Sequence, residues 1–265
     1  MTEVDFQGTR IACRIFGKQN QPWLVICHGM ALCSDEFIAL AEQLSDRWRV
    51  LLWDMPGHGN SGALPRTVSA DYMANALARI TQHFAISEMV LMGFSFGGVV
   101  AQYYARSHAD KLKGLILHGC FAPFSQEPIV PRYLVCPVVF KTFGMKPWDV
   151  IRDEFAEICV SDSAAQNRTK SAADRLGKTG FVSMTRALLR SFKPDPNFRI
   201  DCPLLLISGE NDINGPQLKM AQDALVSLSH SHHRVLVAGA AHCAHIDAPE
   251  PFSLSIKSFL ERDLE

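Results

Sequence analysis

The stretch GFSFGG, residues 93–98, places a serine between two glycines directly after the apolar run MVLM. A serine hydroxyl is a weak nucleophile at neutral pH, and it needs a base within hydrogen-bonding reach. The pattern G-x-S-x-G is weak evidence alone, but here it follows a strand-like run and begins a helix-like one, FGGVVAQYYARS. Gly93 and Gly97 leave room for a sharp turn that exposes the hydroxyl. The sequence therefore predicts that Ser95 is a nucleophile.

Two late apolar runs end in residues that could serve this serine. LLLISGEND ends at Asp212, and RVLVAGAAH ends at His242. A histidine can take the serine proton, and a carboxylate can hold that histidine in the required tautomer. Glu210 is an alternative acid and His245 is an alternative base. Loops at the carboxyl ends of parallel strands share one edge of a sheet, so these residues can meet there.

The elements that must position these residues are visible as apolar runs bounded by glycine. Continuous runs rich in Val, Ile and Leu are typical of strands buried on both faces, as in a parallel sheet. Six such runs are WLVICHG, RVLLWDMPG, MVLMGFS, KGLILHGC, PLLLISGEND and HRVLVAGAAH. Helical spacing lies between most of them, at 34–44, 69–84, 96–107 and 217–228. The sequence predicts an α/β fold with a mostly parallel central sheet flanked by helices.

Two segments depart from this alternation. VDFQGTRIACRIFG, at the N-terminus, predicts a short hairpin that turns near Gln7-Gly8. Residues 121–200 contain no strand-like run of the same kind and predict helices and loops. Connections of this length usually have a function. We therefore expect a core domain made of residues 1–120 and 201–265, with a helical cap inserted at 121–200.

Together these motifs resemble the α/β-hydrolase superfamily over nearly the whole chain. The residues that carry the resemblance are HGM (28–30), DMPGHGNSG (54–62), GFSFGG (93–98), GEND (209–212) and GAAHCAHIDAPEPF (239–252). The resemblance favours Asp212 over Glu210 as the acid and His242 over His245 as the base. It also implies that the backbone N–H groups of Met30 and Phe96 bind the oxyanion.

The resemblance implies further roles outside the predicted catalytic residues. His28 and His58 lie in turns that the superfamily braces with histidine, and Asp54 is expected to form a turn. Trp148, within the predicted cap, and His245 are candidate residues of the substrate pocket. The general layout is most similar to small enol-lactonases, carboxylesterases and carbon–carbon bond hydrolases.

Composition excludes several classes of protein. The net charge is −1, from 26 basic and 27 acidic residues without long blocks of either sign, which argues against nucleic-acid binding. The N-terminus lacks the order of a signal peptide, and no apolar run is long enough to span a membrane, so we expect a cytoplasmic location without stable membrane insertion. The eight cysteines form no C-x-x-C pair and are expected to be reduced and mostly buried. The HSHHR segment, 230–234, is expected to be a solvated loop rather than a metal site.

These observations predict a serine hydrolase that cleaves a small ester, lactone or similarly activated carbonyl through an acyl-enzyme. It would need no metal and no organic cofactor, and its partner would be a small-molecule substrate. A homo-oligomer is compatible with the sequence. Two alternatives remain: a carbon–carbon hydrolase, lyase or synthase that uses the same three residues, and a ligand receptor of the same fold.

Overall fold

An eight-stranded sheet forms the centre of the computed structural model, which describes residues 1–126 and 145–262. In chain order the strands are β1 (Thr2–Phe6), β2 (Thr9–Phe16), β3 (Trp23–Cys27), β4 (Arg49–Trp53), β5 (Met89–Phe94), β6 (Leu112–His118), β7 (Leu204–Gly209) and β8 (His232–Val237). Their order across the sheet is β1-β2-β4-β3-β5-β6-β7-β8. From β4 to β8 every neighbouring pair is parallel. The six predicted strands and the mostly parallel sheet are therefore confirmed.

The N-terminal hairpin extends this parallel sheet in the antiparallel sense. β1 pairs with β2, and β2 pairs antiparallel with β4. The two residues between β1 and β2, Gln7 and Gly8, have φ values of 53° and 78°. Positive φ at both central residues gives a hairpin turn the twist that its strands need. The predicted hairpin and its turn are confirmed.

Helices cover both faces of the sheet. Those described are α1 (Ile38–Leu44), α2 (Ala70–His83), α3 (Phe96–Ser107), α4 (Trp148–Cys159), α5 (Ser163–Arg190), α6 (Gly215–Ser227), α7 (Ala244–Asp247) and α8 (Pro249–Arg262). Helices α2, α3 and α6 pack on one face, and α1 and α8 pack on the other. Alternate residues of β3 enter the two cores, with Val25 on one side and Ile26 on the other. Burial on both faces explains why the strands are continuously apolar.

Part of the predicted cap lies within the described residues and is helical. Helices α4 and α5 follow β6 and precede β7, while residues 127–144 of the predicted cap lie outside the described ranges. Helix α5 begins at an N-cap in which the Asp162 carboxylate accepts a hydrogen bond of 2.8 Å from Ala165 N–H. Its path is broken at Gly177, which has φ 67° and ψ 171°. Such a conformation is open to glycine and costly for other residues.

The remaining surface and thiol predictions have mixed outcomes. His230, His232 and His233 are exposed, but the last two begin strand β8 rather than lying in a loop. Seven cysteines within the described ranges are free thiols and five of these are buried, whereas Cys136 lies outside those ranges. Within the same ranges, none of the helices has the length and apolar character needed to cross a bilayer.

Candidate active site

Ser95 occupies the turn between strand β5 and helix α3. Its backbone has φ 53° and ψ −118°, a conformation that costs a residue with a side chain on the order of 1–3 kcal/mol. Its N–H donates a hydrogen bond of 2.8 Å to the His118 carbonyl at the end of β6, which holds the turn in place. A Cβ at position 97 would collide with the carbonyl oxygens of Cys27 and His28, so only glycine fits there. The predicted sharp turn is therefore present and needs its glycine.

The structure brings Ser95, His242 and Asp212 together in a hydrogen-bonded chain. Ser95 Oγ lies 3.0 Å from His242 Nε2, and His242 Nδ1 lies 2.5 Å from Asp212 Oδ2. Ser95 follows β5, Asp212 follows β7 and His242 follows β8, so all three lie at the carboxyl edge of the sheet. This arrangement allows a proton to pass from the hydroxyl to the imidazole while the carboxylate stabilises the charged ring.

Asp212 is held as a carboxylate by its surroundings. Its side chain is fully buried, with 0% of its surface exposed. Burial alone would raise the pKa of Asp212, but the charge of His242 and hydrogen bonds from His242 and Asn214 outweigh that cost and lower the pKa. Asn214 donates from its backbone N–H at 2.9 Å and from its side chain at 3.2 Å, both to Asp212 Oδ1. Sequence reasoning missed Asn214, although an Asp side chain in a turn often accepts a hydrogen bond from the backbone N–H two residues later.

The two alternative residues make contacts elsewhere. Glu210 Oε2 accepts a hydrogen bond of 2.9 Å from Gly239 N–H and so ties the loop after β7 to the loop after β8. His245 Nε2 lies 3.4 Å from Glu36 Oε2, and its ring stacks on Phe37 with centroids 4.4 Å apart. The structure thus brings Asp212 and His242 to Ser95, whereas Glu210 and His245 hydrogen-bond to other partners.

Close packing fixes the His242 ring from two sides. The Phe94 ring lies 5.0 Å from the His242 ring, centroid to centroid. On another side is Gly119, where an added Cβ would lie 3.2 Å from His242 Cε1 and would also be strained by a φ of 55°. Little side-chain freedom is left to the imidazole, which favours a preformed contact with Ser95.

The two predicted oxyanion donors belong to different segments of the chain. Phe96 is the first residue of α3, so its N–H has no acceptor within that helix. Met30 lies in the loop after β3, and its neighbour Ala31 has a φ of 59°. Ala31 N–H donates to His58 Nε2 at 3.1 Å, which fixes the backbone next to Met30.

His28 and His58 brace this loop as neutral imidazoles. Met55 N–H donates to His28 Nε2 at 2.9 Å, so the ring proton must reside on Nδ1, which donates to the Gly29 carbonyl at 2.7 Å. His58 repeats the pattern, accepting at Nε2 and facing the Pro56 carbonyl with Nδ1. Burial is the main cause that lowers the pKa of His28 and lowers that of His58 to about 3. Both histidines therefore have the bracing contacts expected of them.

Asp54 does more than form its own turn, which sequence reasoning did not foresee. Its carboxylate accepts hydrogen bonds of 2.8 Å from Ser34 N–H and from Asn60 N–H. These two donors lie in the loops that follow β3 and β4. The buried carboxylate thus joins the Met30 loop to the loop that contains His58. No local pattern announces a contact between segments so far apart in sequence.

The described cap helices lie against the Met30 loop. Trp148, at the start of α4, is half-buried, and its indole N–H donates to Asp174 at 2.7 Å. It packs with Phe181, Ile151 and Met30 in a small apolar cluster. The predicted pocket residue Trp148 is therefore near one predicted oxyanion donor, and its contact with a substrate stays a prediction.

A cleft of about 530 Å³ separates α5 from the core loops. Its walls come from residues 33–36, residues 59–60, the first half of α5 and Ile246. Ser95, His242 and Asp212 do not line this cleft. Throughout 1–126 and 145–262, no three His, Cys, Asp or Glu side chains are grouped in a way that could hold a metal ion.

Comparisons with known proteins agree with this fold. Residues 22–135 match the family model for the α/β hydrolase fold. A pimeloyl-[acyl-carrier protein] methyl ester esterase of Chromobacterium violaceum is 46% identical over 111 residues, which cover 42% of each chain. A 2-succinyl-6-hydroxy-2,4-cyclohexadiene-1-carboxylate synthase of Serratia proteamaculans is 26% identical over 92% of this chain and 95% of the relative.

Solved structures show the same fold over almost the full length. A hydrolase from Pseudomonas aeruginosa superposes with a TM-score of 0.84 at 17% identity, covering 98% of both chains. The enol-lactonase from Burkholderia xenovorans superposes with a TM-score of 0.79 at 19% identity, covering 98% of this chain and 99% of the other. Sheet topology, the family model over residues 22–135 and the solved structures agree on the α/β-hydrolase fold, and with its esterase relatives the chain is a hydrolase of this fold.

Proposed function

We propose that this chain is a serine hydrolase that cleaves a small ester, lactone or related activated carbonyl through an acyl-enzyme on Ser95. The observation that carries the proposal is the chain of two hydrogen bonds, 3.0 Å from Ser95 Oγ to His242 Nε2 and 2.5 Å from His242 Nδ1 to Asp212. A serine with both a base and an orienting carboxylate in reach is the arrangement that acyl transfer requires.

In the proposed reaction, Ser95 Oγ attacks the carbonyl carbon as His242 Nε2 takes the hydroxyl proton. Asp212 keeps the other ring proton on Nδ1 and stabilises the imidazolium that forms. The N–H groups of Met30 and Phe96 bind the negatively charged carbonyl oxygen, and losing one such donor typically costs about 10²- to 10³-fold in rate. His242 then gives the proton to the leaving alcohol.

Hydrolysis of the acyl-enzyme completes the cycle. A water molecule gives its proton to His242 and attacks the acyl carbon, and the proton returns to Ser95 as the acid leaves. Every proton in both halves passes through His242 Nε2, so no metal or organic cofactor enters the proposal. The substrate is a small molecule, and a cytoplasmic location stays a prediction.

The test combines covalent labelling with turnover. We expect intact mass spectrometry to show one fluorophosphonate adduct on the wild-type protein and none on Ser95→Ala. Hydrolysis of p-nitrophenyl acetate and butyrate should fall at least about 10³-fold in Ser95→Ala and in His242→Ala. Circular dichroism of both variants checks that they are folded. A folded wild-type protein with neither an adduct nor turnover would contradict the acyl-enzyme.

A second candidate is a synthase or lyase reaction in which His242 or Ser95 acts only as a base. The relative named as a synthase favours this candidate, because it aligns over 92% of the chain. The same three residues can abstract a proton without forming an acyl intermediate. Rapid quenching during ester turnover separates the two: an acyl group on Ser95 supports hydrolysis, and its absence despite product formation supports the base-only reaction.

A further inference from the structure

The segment between α4 and α5 is bonded to the loop that carries His242. Cys243 N–H donates to the Cys159 carbonyl, at the end of α4, with a distance of 2.8 Å. Two residues later, Ser161 N–H donates to Asp247 Oδ1 at 2.9 Å and Ser161 Oγ lies 3.3 Å from Asp247 Oδ2. The corner between the two cap helices is thus fixed to the core at two points, both within five residues of His242.

Asp247 also closes the loop that contains His242. Its Oδ2 accepts a hydrogen bond of 2.9 Å from Ala241 N–H, the residue directly before His242. The backbone N–H groups of Ile246 and Asp247 both donate to the Cys243 carbonyl, so residues 243–247 form one tight turn. The side chain of Asp247 folds back from the end of that turn to its start. One carboxylate therefore fixes both ends of the bend in which His242 lies.

We propose that Asp247 is a positioning residue that sets where His242 stands and couples it to the corner between α4 and α5. The inference rests on the proposed function of Ser95, His242 and Asp212. Asp247 acts through backbone N–H groups, and the side chain that bonds to the imidazole is Asp212. A displacement of about 1 Å at a catalytic group can cost on the order of 10²-fold in rate. Loss of the Asp247 contacts should therefore lower kcat far more than it raises KM.

The effect of removing the Asp247 carboxylate follows from the two groups that it binds, Ala241 N–H and Ser161. Ala241 is buried, with 8% of its surface exposed, and its N–H would have no acceptor after removal of Asp247. A buried N–H without a partner favours a local rearrangement that finds one. Such a rearrangement moves the residue next to it, which is His242, and frees Ser161 at the same time. The position of His242 and the position of the corner between α4 and α5 would therefore change together.

The experiment compares Asp247→Ala and Asp247→Asn with Glu250→Ala. Glu250 is exposed in the first turn of α8, so its variant removes the same charge three residues away without touching this loop. We expect Asp247→Ala to lower kcat for p-nitrophenyl acetate and the rate of fluorophosphonate labelling about 10- to 100-fold, with KM within about twofold. Asp247→Asn, whose amide oxygen can serve only one side of the corner, should lie between it and the wild type.

A readout that does not depend on turnover completes the test. The imidazole NMR signals of His242, assigned by their loss in His242→Ala, should move in both Asp247 variants and stay in place in Glu250→Ala. A folded Asp247 variant with wild-type kcat, labelling rate and His242 signals would overturn the proposal, including when only Asp247→Asn folds. A wild-type protein that neither labels nor turns over ester contradicts the proposed function instead, while shifted His242 signals would still support the role of Asp247.

Discussion

At the scale of single residues, Asp212 shows how one carboxylate sets the state of its neighbour. Its Oδ1 is occupied by two donors from Asn214, which leaves Oδ2 for His242 Nδ1. The imidazole is then held with its proton on Nδ1 and its lone pair on Nε2, facing Ser95. The order of these contacts makes the tautomer a consequence of the carboxylate's position.

Asp212→Asn should retain the shape of the site and lose its function. An amide NH₂ facing Nδ1 favours the wrong tautomer, and the equivalent change in a serine protease lowers kcat about 10⁴-fold. We expect a loss of similar size in ester hydrolysis, with a melting temperature close to that of the wild type. Asn214→Ala is the matched comparison, because it removes one donor to Asp212 and leaves the His242 contact in place. A loss below about tenfold in Asp212→Asn would argue against an orienting carboxylate.

Asp54 predicts a loss of stability. Two backbone N–H groups, of Ser34 and Asn60, depend on its buried carboxylate, and each would be left without its acceptor in Asp54→Ala. A buried donor without a partner costs about 1–3 kcal/mol. Ser34 is buried and Asn60 is half-buried, so we expect the free energy of unfolding to fall by about 1–3 kcal/mol from Ser34, with a smaller loss from Asn60. Urea denaturation measures this, with the exposed Asp5→Ala as control. Equal urea midpoints for the two variants would contradict the bridging role.

At the scale of elements, helix α5 contains a glycine, Gly177, whose backbone conformation disfavours a Cβ although the space around it would admit one. Gly177 has a φ of 67°, yet a Cβ there would meet no atom within 4 Å. Gly215, at the start of α6, is equally open but has no positive φ. Because an added Cβ meets no atom at either position, a comparison of the two isolates the cost of the positive φ at Gly177.

We expect Gly177→Ala to lower the free energy of unfolding by about 1–3 kcal/mol, because a backbone with φ 67° and ψ 171° is strained for any residue that carries a Cβ. Gly215→Ala should instead raise it by about 0.4–1 kcal/mol, since alanine loses less freedom on folding. Chemical denaturation of both variants gives the two signs directly. A stabilised Gly177→Ala would mean that α5 can straighten without cost.

Some helices and strands could be predicted from the sequence, and others could not. The strands were predictable because burial on both faces leaves an unbroken apolar run, as in Leu204–Gly209. Helix α8 was missed, although Phe252, Ile256, Phe259 and Leu260 repeat at helical spacing and are buried. The contacts that Asp247 and Asp54 make between distant segments could not be predicted. Their roles depend on donors brought close only by the finished fold, which no local pattern contains.

At the scale of the whole molecule, stability should depend on pH through buried histidines. Burial is the main cause that lowers the pKa of His58 to about 3, lowers that of His28, and lowers that of His118 well below its usual value. In the unfolded chain these rings regain the ordinary histidine pKa near 6.5. Between the two values the unfolded chain binds more protons than the folded one, so acid favours unfolding.

We therefore expect the contribution of these histidines to the free energy of unfolding to be constant above about pH 7 and to fall as the pH drops below about 6.5. Each buried histidine contributes up to about 1.4 kcal/mol per pH unit. His58→Gln should reduce this slope whatever its effect on stability at pH 7. His83→Gln, at an exposed position of α2, should not. Urea titrations between pH 5 and pH 8 would show a slope unchanged in His58→Gln if the ring were charged in the folded state.

The position of β8 at the edge of the sheet has a consequence for biosynthesis. Strands β3 to β6 can pair among themselves before β7 and β8 have left the ribosome, because the sheet grows outward in chain order on that side. A nascent chain at that stage would carry Ser95 in its turn but neither Asp212 nor His242. On the proposed mechanism, the chain would gain its activity only when β7 and β8 are in place, and an unfinished chain would not hydrolyse esters.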